Sequence, residues 1–306
     1  MTPLALDIDH IGIAVRNLDA GEKELQSLGF RLTQRSHHRG SRLPGMPIEE
    51  WGSANHCAML EQGYIELVGL TDPEKFSSVK SMLESYEGTH IVAFKPRSVR
   101  EVHDALTSRG VPVDDVRDLE RMAAYGPSGE ERKRVAFRNM YLTRTVFTEA
   151  RFQYTEHLTP EVMWQPGLLD HPNGAIAVTQ LFLCSAQSGA TAGKLAPALG
   201  IEPSGIADGE DELRLANSRL TVMTPTAWAR RVPRSPLPPL PAPVGLAVRV
   251  KSLSRTRSVI SGNGVQVHDG ECGSIWVETC NTILCFSQSP KGQDDSAASR
   301  DIGLAS

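Results

Sequence analysis

Asp9-His10-Ile11-Gly12-Ile13-Ala14-Val15 and Thr89-His90-Ile91-Val92-Ala93-Phe94 share one pattern, a histidine at the head of an apolar strand. Each strand leads into an amphipathic stretch that stops at glycine: Leu18, Leu25 and Leu28 before Gly29, and Val99, Val102 and Leu106 before Gly110. A strand and helix that recur with histidine at the same internal position describe a repeated unit, which restricts the chain to folds assembled from such units. Two histidines at equivalent positions also suggest a shared metal.

The segments that follow complete the unit. After the first helix come a strand near 30–33, a polar loop holding His37, His38, Gly40, Pro44 and Gly45, and strands near 55–60 and 64–70, a βαβββ order. The second unit repeats it with a strand at 89–94, a helix at 98–109 and extended segments over 134–142 and 146–157. A third unit reads as a strand at 175–184, a helix at 191–199 closed by Gly200, and strands at 212–215 and 219–223. The fourth has a strand at 245–250, a helix at 253–260 and strands near 265–267, 274–277 and 282–287. The proline-rich stretch 232–243 between the last two reads as a stiff spacer. The fold class is therefore α+β, with four βαβββ modules. An N-terminal domain is expected over 1–160, a C-terminal domain over 161–290 and a flexible tail over 291–306.

Composition excludes several classes of function. A chain of 306 residues with 40% hydrophobic content can bury two cores. Its net charge of −4 and scattered Lys and Arg give no footprint for a nucleic-acid partner. The opening residues lack a basic segment followed by an apolar run, and no stretch approaches the length of a membrane span, so a cytoplasmic location without a membrane partner is expected. Five cysteines without a C-x-x-C pair indicate neither a disulfide framework nor a thiolate zinc site, and they read as reduced core residues.

Four βαβββ units in series, the first opening on D-H-I-G-I-A-V and closing on G-Y-I-E-L-V-G, resemble the vicinal-oxygen-chelate superfamily in its glyoxalase-like branch. The resemblance implies that modules pair into two curved mixed sheets around a divalent metal held by first and last strands. By position it makes His10 and His90 the first-strand ligands and Glu66 the last-strand ligand of unit one. The closing strand of unit two departs from the pattern and offers Gln153, Glu156 and His157. Alternation puts Gln153, Thr155 and His157 on one face, and His157 is favoured over the other two. Such a ligand set admits Fe, Mn, Ni, Co or Zn and leaves positions open for two adjacent substrate oxygens.

Among the remaining polar residues, His56 on the third strand of unit one is the candidate base, and Tyr64, which shares strand parity with Glu66, is its catalytic companion. Asn55 and Arg138 are the substrate-binding candidates. His37 and His38 lie in a polar loop suited to a lid, His103 on a solvated helix face, and His171 and His268 read as structural. Unit three offers Gln180, and unit four Gly245 or a neighbour, where the first two units carry histidine, so the C-terminal half is expected to hold no metal. Capping the cup, shaping a pocket or forming a homodimer surface are the roles open to it. The expected function is a metal-dependent lyase or isomerase acting on a small substrate with vicinal oxygens. The alternatives are Fe(II)-dependent ring cleavage and metal-free binding of a small molecule.

Overall fold

The computed structural model describes residues 2–40 and 46–288. The expected tail over 291–306 and residues 41–45 of the expected polar loop lie outside the described residues. The first unit consists of β1 (Asp7–Val15), α1 (Leu18–Ser27), β2 (Ser36–Gly40), β3 (Glu49–Met59) and β4 (Tyr64–Leu70). A one-turn helix, α2 (Lys80–Leu83), leads to the second: β5 (Gly88–Lys95), α3 (Val99–Ser108), β6 (Arg117–Tyr125), β7 (Glu131–Tyr141) and β8 (Arg151–His157). These strands form one curved eight-stranded sheet in the order β2-β3-β4-β1-β5-β8-β7-β6, in which β1 and β5 meet antiparallel at the centre.

The short helix α4 (Pro160–Met163) crosses to the second half. There follow β9 (Ala175–Cys184), α5 (Ser188–Leu199), β10 (Ser204–Ala207), β11 (Glu210–Arg214), β12 (Arg219–Met223) and α6 (Pro225–Arg231). The last unit is β13 (Ala242–Val250), α7 (Leu253–Gly262), β14 (His268–Asp269), β15 (Ile275–Thr279) and β16 (Thr282–Ser287). Their sheet, β10-β11-β12-β9-β13-β16-β15-β14, repeats the order of the first.

Local chemistry explains the helices. Asn17 and Ser98 cap α1 and α3 by accepting from the amides of Ala20 and Glu101, and the Glu156 carboxylate accepts from the Val99 amide at the start of α3. Leu18 and Leu25 of α1, and Val99, Val102 and Leu106 of α3, are fully buried or nearly so. They belong to one apolar core that continues through Leu195 and Leu199 of α5 into Leu284 and Phe286 of β16, so both sheets share it. Contacts across the halves are direct: Phe30 stacks with Phe286, the Tyr154 hydroxyl donates to the Ala198 carbonyl at 2.7 Å, and the Thr89 and Thr282 hydroxyls lie 2.9 Å apart.

Some elements differ from the sequence reading. The segment holding His37 and His38, expected as a loop, is the edge strand β2, and no strand forms at 30–33. Strand β6 and helices α2, α4 and α6 lack the long apolar periodicity that would mark them, and β14 is a two-residue strand placed just after the expected 265–267. Cys57, Cys184 and Cys280 are buried free thiols, but Cys272 is exposed instead of lying in the core.

Candidate functional site

The curved face of the first sheet turned away from the shared core is the first cup, and parts of it are covered by apolar packing against α2 and α4. Strand register fixes which side chains enter it. His10 lies opposite Tyr64, and Gly12 opposite Glu66, on the parallel β1–β4 pair. Cys57 is opposite Glu66 and Asn55 opposite Val68 on β3–β4. On the other flank Gln153 pairs with Tyr141, Thr155 with Asn139 and His157 with Phe137.

A β-bulge builds the centre of the cup. On the β1–β5 pair Ile8 faces Phe94 and His10 faces Ala93, so Asp9 is an extra residue without a partner. That insertion lets Asp9 and His10 turn to the same side. The buried Asp9 carboxylate oxygen Oδ1 accepts from His10 Nδ1 at 2.7 Å and from His157 Nε2 at 3.1 Å. Burial alone would raise the Asp9 pKa, but the two imidazoles outweigh it and hold the carboxyl well below its ordinary range. The His10 ring stacks on Tyr64 with centroids 4.4 Å apart. The His157 ring sits edge-on to Trp164 at 4.8 Å, to Phe137 at 5.5 Å and to Tyr64 at 6.1 Å.

Glu66 extends the polar strip. Burial opposes its ionisation, yet His10, the Asn55 amide at 2.5 Å, His38 and Arg151 together hold its carboxyl below the ordinary value. Burial pushes the Tyr64 phenol well above its ordinary pKa, with help from Asp9, Cys57 and Glu66, so Tyr64 remains a donor. His38 is held low by burial and by Arg121, Arg151 and His37 against the pull of Glu66. Gly12 leaves the floor beside Glu66 without a side chain, since a Cβ there would lie 2.6 Å from Ile91 Cβ.

Three buried polar atoms on this face have no hydrogen-bond partner: Asn139 Oδ1, Gln153 Oε1 and His157 Nδ1. Each such orphan costs about 1–3 kcal/mol, so three on one face single that face out as the candidate site.

The glyoxalase-like domain model matches residues 8–199, more than half of the chain. The chain belongs to the glyoxalase-like domain family. Within it, the duplicated βαβββ sheets are those of the vicinal-oxygen-chelate superfamily. No curated protein matches the sequence. Among solved structures, this glyoxalase-like protein is similar to a hypothetical protein from Staphylococcus aureus, at 12% identity over 92% of this chain and 98% of that one, with a TM-score of 0.64. It is also similar to a mutant 4-hydroxymandelate synthase from Streptomyces coelicolor, at 13% identity over 94% and 93% of the two chains, with a TM-score of 0.57. A fusion of a xylose isomerase-like TIM barrel with 4-hydroxyphenylpyruvate dioxygenase matches at 11% identity, covering 97% of this chain and 50% of that one, with a TM-score of 0.52. At these identities the likeness is one of fold.

The expected site residues divide into two groups. His10, Tyr64, Glu66, Asn55 and His157 enter the cup of the glyoxalase-like protein, and Gln153 lies on the same face as His157. Glu156 faces the helices, as alternation requires. His90, Arg138 and His56 do not join the cluster. His90 lies three residues along β5 from the partner of His10, about 10 Å of strand, beside a second register shift between Gly12 and Ile13. Its ring stacks on Tyr86 at 3.9 Å and its Nε2 donates to the Tyr86 carbonyl at 2.9 Å. Burial lowers its pKa, with Arg144 assisting against that bond.

Arg138 is opposite Glu156 on the helix-facing side and forms a fork with Asp118 at 2.6 and 3.1 Å, so it is not placed to bind substrate in the cup. His56 is opposite Leu67, one residue out of phase with Asn55 and Cys57. It donates from Nδ1 to the Thr33 carbonyl at 2.8 Å and approaches Arg35 and Glu22, each at 3.3 Å, beneath α1. It is packed between β3 and α1 and does not face the cup.

The four expected metal ligands therefore do not converge. Among the described residues no group of three or more His, Cys, Asp or Glu side chains is arranged to hold a metal ion. Asp9, His10 and His157 do meet, through the hydrogen bonds of the two rings to Asp9 Oδ1. Also among the described residues, no helix is long and apolar enough to cross a membrane.

Proposed function

We propose that this protein is an enzyme of lyase or isomerase type that removes a proton from the carbon beside a carbonyl in a small substrate with vicinal oxygens, bound in the first cup. The observation that carries this reading is the Asp9 carboxylate bridging two imidazoles. A carboxylate can only accept, so His10 Nδ1 and His157 Nε2 carry hydrogens, and the form that acts is the one in which the other nitrogen of His157 keeps its lone pair. His157 Nδ1 is the one left buried without a partner, and it is the base. Asp9 orients the ring and stabilises the imidazolium formed when it takes the proton. Tyr64 donates to the oxygen on which charge develops, and Arg151 with Arg121 provides positive charge on the same face. Glu66, ionised and steadied by Asn55, accepts from a substrate hydroxyl. The divalent ion that the superfamily resemblance implies finds no matching ligand set, and no step is assigned to it. Membership of the glyoxalase-like family supports an enzyme over a structural protein.

The test is solvent-deuterium exchange, followed by NMR, on a panel of α-hydroxy ketones and α-hydroxy acids with native protein, Asp9→Asn and Tyr64→Phe, each with and without EDTA. Native protein should exchange the proton next to the carbonyl irrespective of chelator, and Asp9→Asn should lose about 100-fold or more. Activity removed by EDTA and restored by one divalent ion would overturn the metal-free step. Tight binding of a panel member without exchange would instead identify a sequestering protein, for which the three unpartnered cup atoms supply the recognition.

A further inference from the structure

The second sheet has a cup of its own, and most of it is filled. Phe182, Cys184, Met223 and Ile283 pack there against Trp228 of α6. At its open end, however, a cavity of about 330 Å³ remains, lined by Arg214, Arg219 and Arg249 together with Thr179, Asn217 and Ser287. No acidic side chain lines it. The register brings the arginines to one side of the sheet: Arg214 pairs with Arg219, Arg219 with Gln180, and Arg249 with Ser287.

The charges are only partly answered. Glu212, buried beneath them, takes Arg214 at 2.7 Å and Arg219 at 3.4 Å. Three guanidiniums stand against Glu212 and, behind Asn217 and Ser218, the Asp7 carboxylate, which leaves an excess of one positive charge. Arg219 is held further by donating to Gln180 Oε1 at 2.8 Å. Arg249 makes only a 3.4 Å contact with Gln62 Oε1, and its Nε is buried without a partner.

One wall is independently fixed. The turn between β11 and β12 is tied to the start of β1, with the Ala216 amide donating to the Leu6 carbonyl at 3.0 Å and Asn217 Nδ2 to Asp7 Oδ2 at 2.8 Å. Ser218 Oγ accepts from the Ile8 amide at 2.9 Å. A pocket of this volume with a rigid wall, three convergent guanidiniums and neighbouring hydroxyl and amide groups matches a ligand with planar or tetrahedral anionic oxygens.

We propose that the mouth of the second cup is a binding site for a small organic anion bearing a carboxylate or phosphate group, separate from the first cup. Arg249 and Arg219 are its principal contacts, and Arg214 closes the rim.

Isothermal titration of the full chain with inorganic phosphate and with succinate, at ionic strength balanced by chloride, tests this. Saturable binding of at least one anion is expected, weakened tenfold or more in Arg249→Gln and in Arg219→Gln and retained in Arg151→Gln, which removes a positive charge from the first cup. Binding of phosphate alone would assign a phosphate ester and of succinate alone a carboxylate. If Arg249→Gln fails to fold, Arg214→Gln at the exposed rim replaces it and should weaken binding at least threefold. Absence of saturable binding by either anion would overturn the proposal. So would binding that survives the substitutions in the second cup, or that is lost in Arg151→Gln.

Discussion

Replacing Asp9 by Asn keeps the shape of the bridge and removes its charge. Both imidazoles donate to the same oxygen, Oδ1, so an asparagine carbonyl can accept both bonds, and what changes is charge assistance. Two effects oppose. Burying a carboxylate is costly, and asparagine relieves that cost; bonds to a charged acceptor are stronger, and asparagine forfeits that gain. The direction of the Asp9 shift decides between them. Because its pKa is lowered in the folded state in spite of burial, the attraction outweighs desolvation and the ionised form stabilises the fold.

A hydrogen bond to a charged group is worth about 1.5–3 kcal/mol against about 0.5–1.5 kcal/mol for a neutral one, so two bonds lose together about 2–3 kcal/mol. Urea denaturation at pH 7 should show Asp9→Asn less stable by that amount. A carboxyl whose folded pKa is depressed contributes stability that is present above its unfolded pKa and lost as pH falls through the folded value. The gap between native and variant should therefore shrink progressively below about pH 4. A variant as stable as the native protein at pH 7, or a gap that does not change with acid, would refute the argument.

Gly12→Ala places a Cβ against Ile91 and should cost about 1–3 kcal/mol in thermal or urea unfolding, with the polar side chains of the cup unchanged. His56→Ala should lower stability by about 1–3 kcal/mol through loss of the bond to Thr33, while ligand binding in the first cup, measured by titration, stays within twofold of native. Thiol titration with a chromogenic disulfide should give one fast equivalent from exposed Cys272. Buried Cys57, Cys184 and Cys280 should react only on unfolding, and half-buried Cys285 more slowly than Cys272, because burial pushes Cys57, Cys280 and Cys285 up to about 12 and Cys184 up to about 11.

Much of the architecture was legible because the repeat is carried by local signals: the helix stops at Gly29 and Gly110, the apolar strands, and the recurrence of their order. Period-two alternation likewise separated His157 and Gln153 from Glu156. The same rule, applied to β3, forbids Asn55 and His56 from sharing a face, so only one of the two can face the cup. Other features lie beyond local reading. A bulge is a property of a strand pair, so neither the turning of Asp9 into the cup nor the displacement of His90 follows from the residues of β1 and β5 taken singly. Arg121 and Arg151 carry no local signal for a related reason: they stand on strands whose partners, not whose own pattern, decide which way they face. Strand β2 is short and polar because it is an edge, and its composition reads as a loop.

The core shared by the two sheets has a consequence for how the sequence can vary. Along each strand, every second residue is committed to a common interior with helices from both halves, and a substitution there disturbs the entire molecule. The alternate residues face a cup and pack only locally, against α2 and α4 on the first sheet and α6 on the second, so a substitution there is felt within one half. Tolerance to substitution should therefore follow a two-residue rhythm in all the long strands, and new binding specificities are most readily selected from libraries confined to the cup-facing phase.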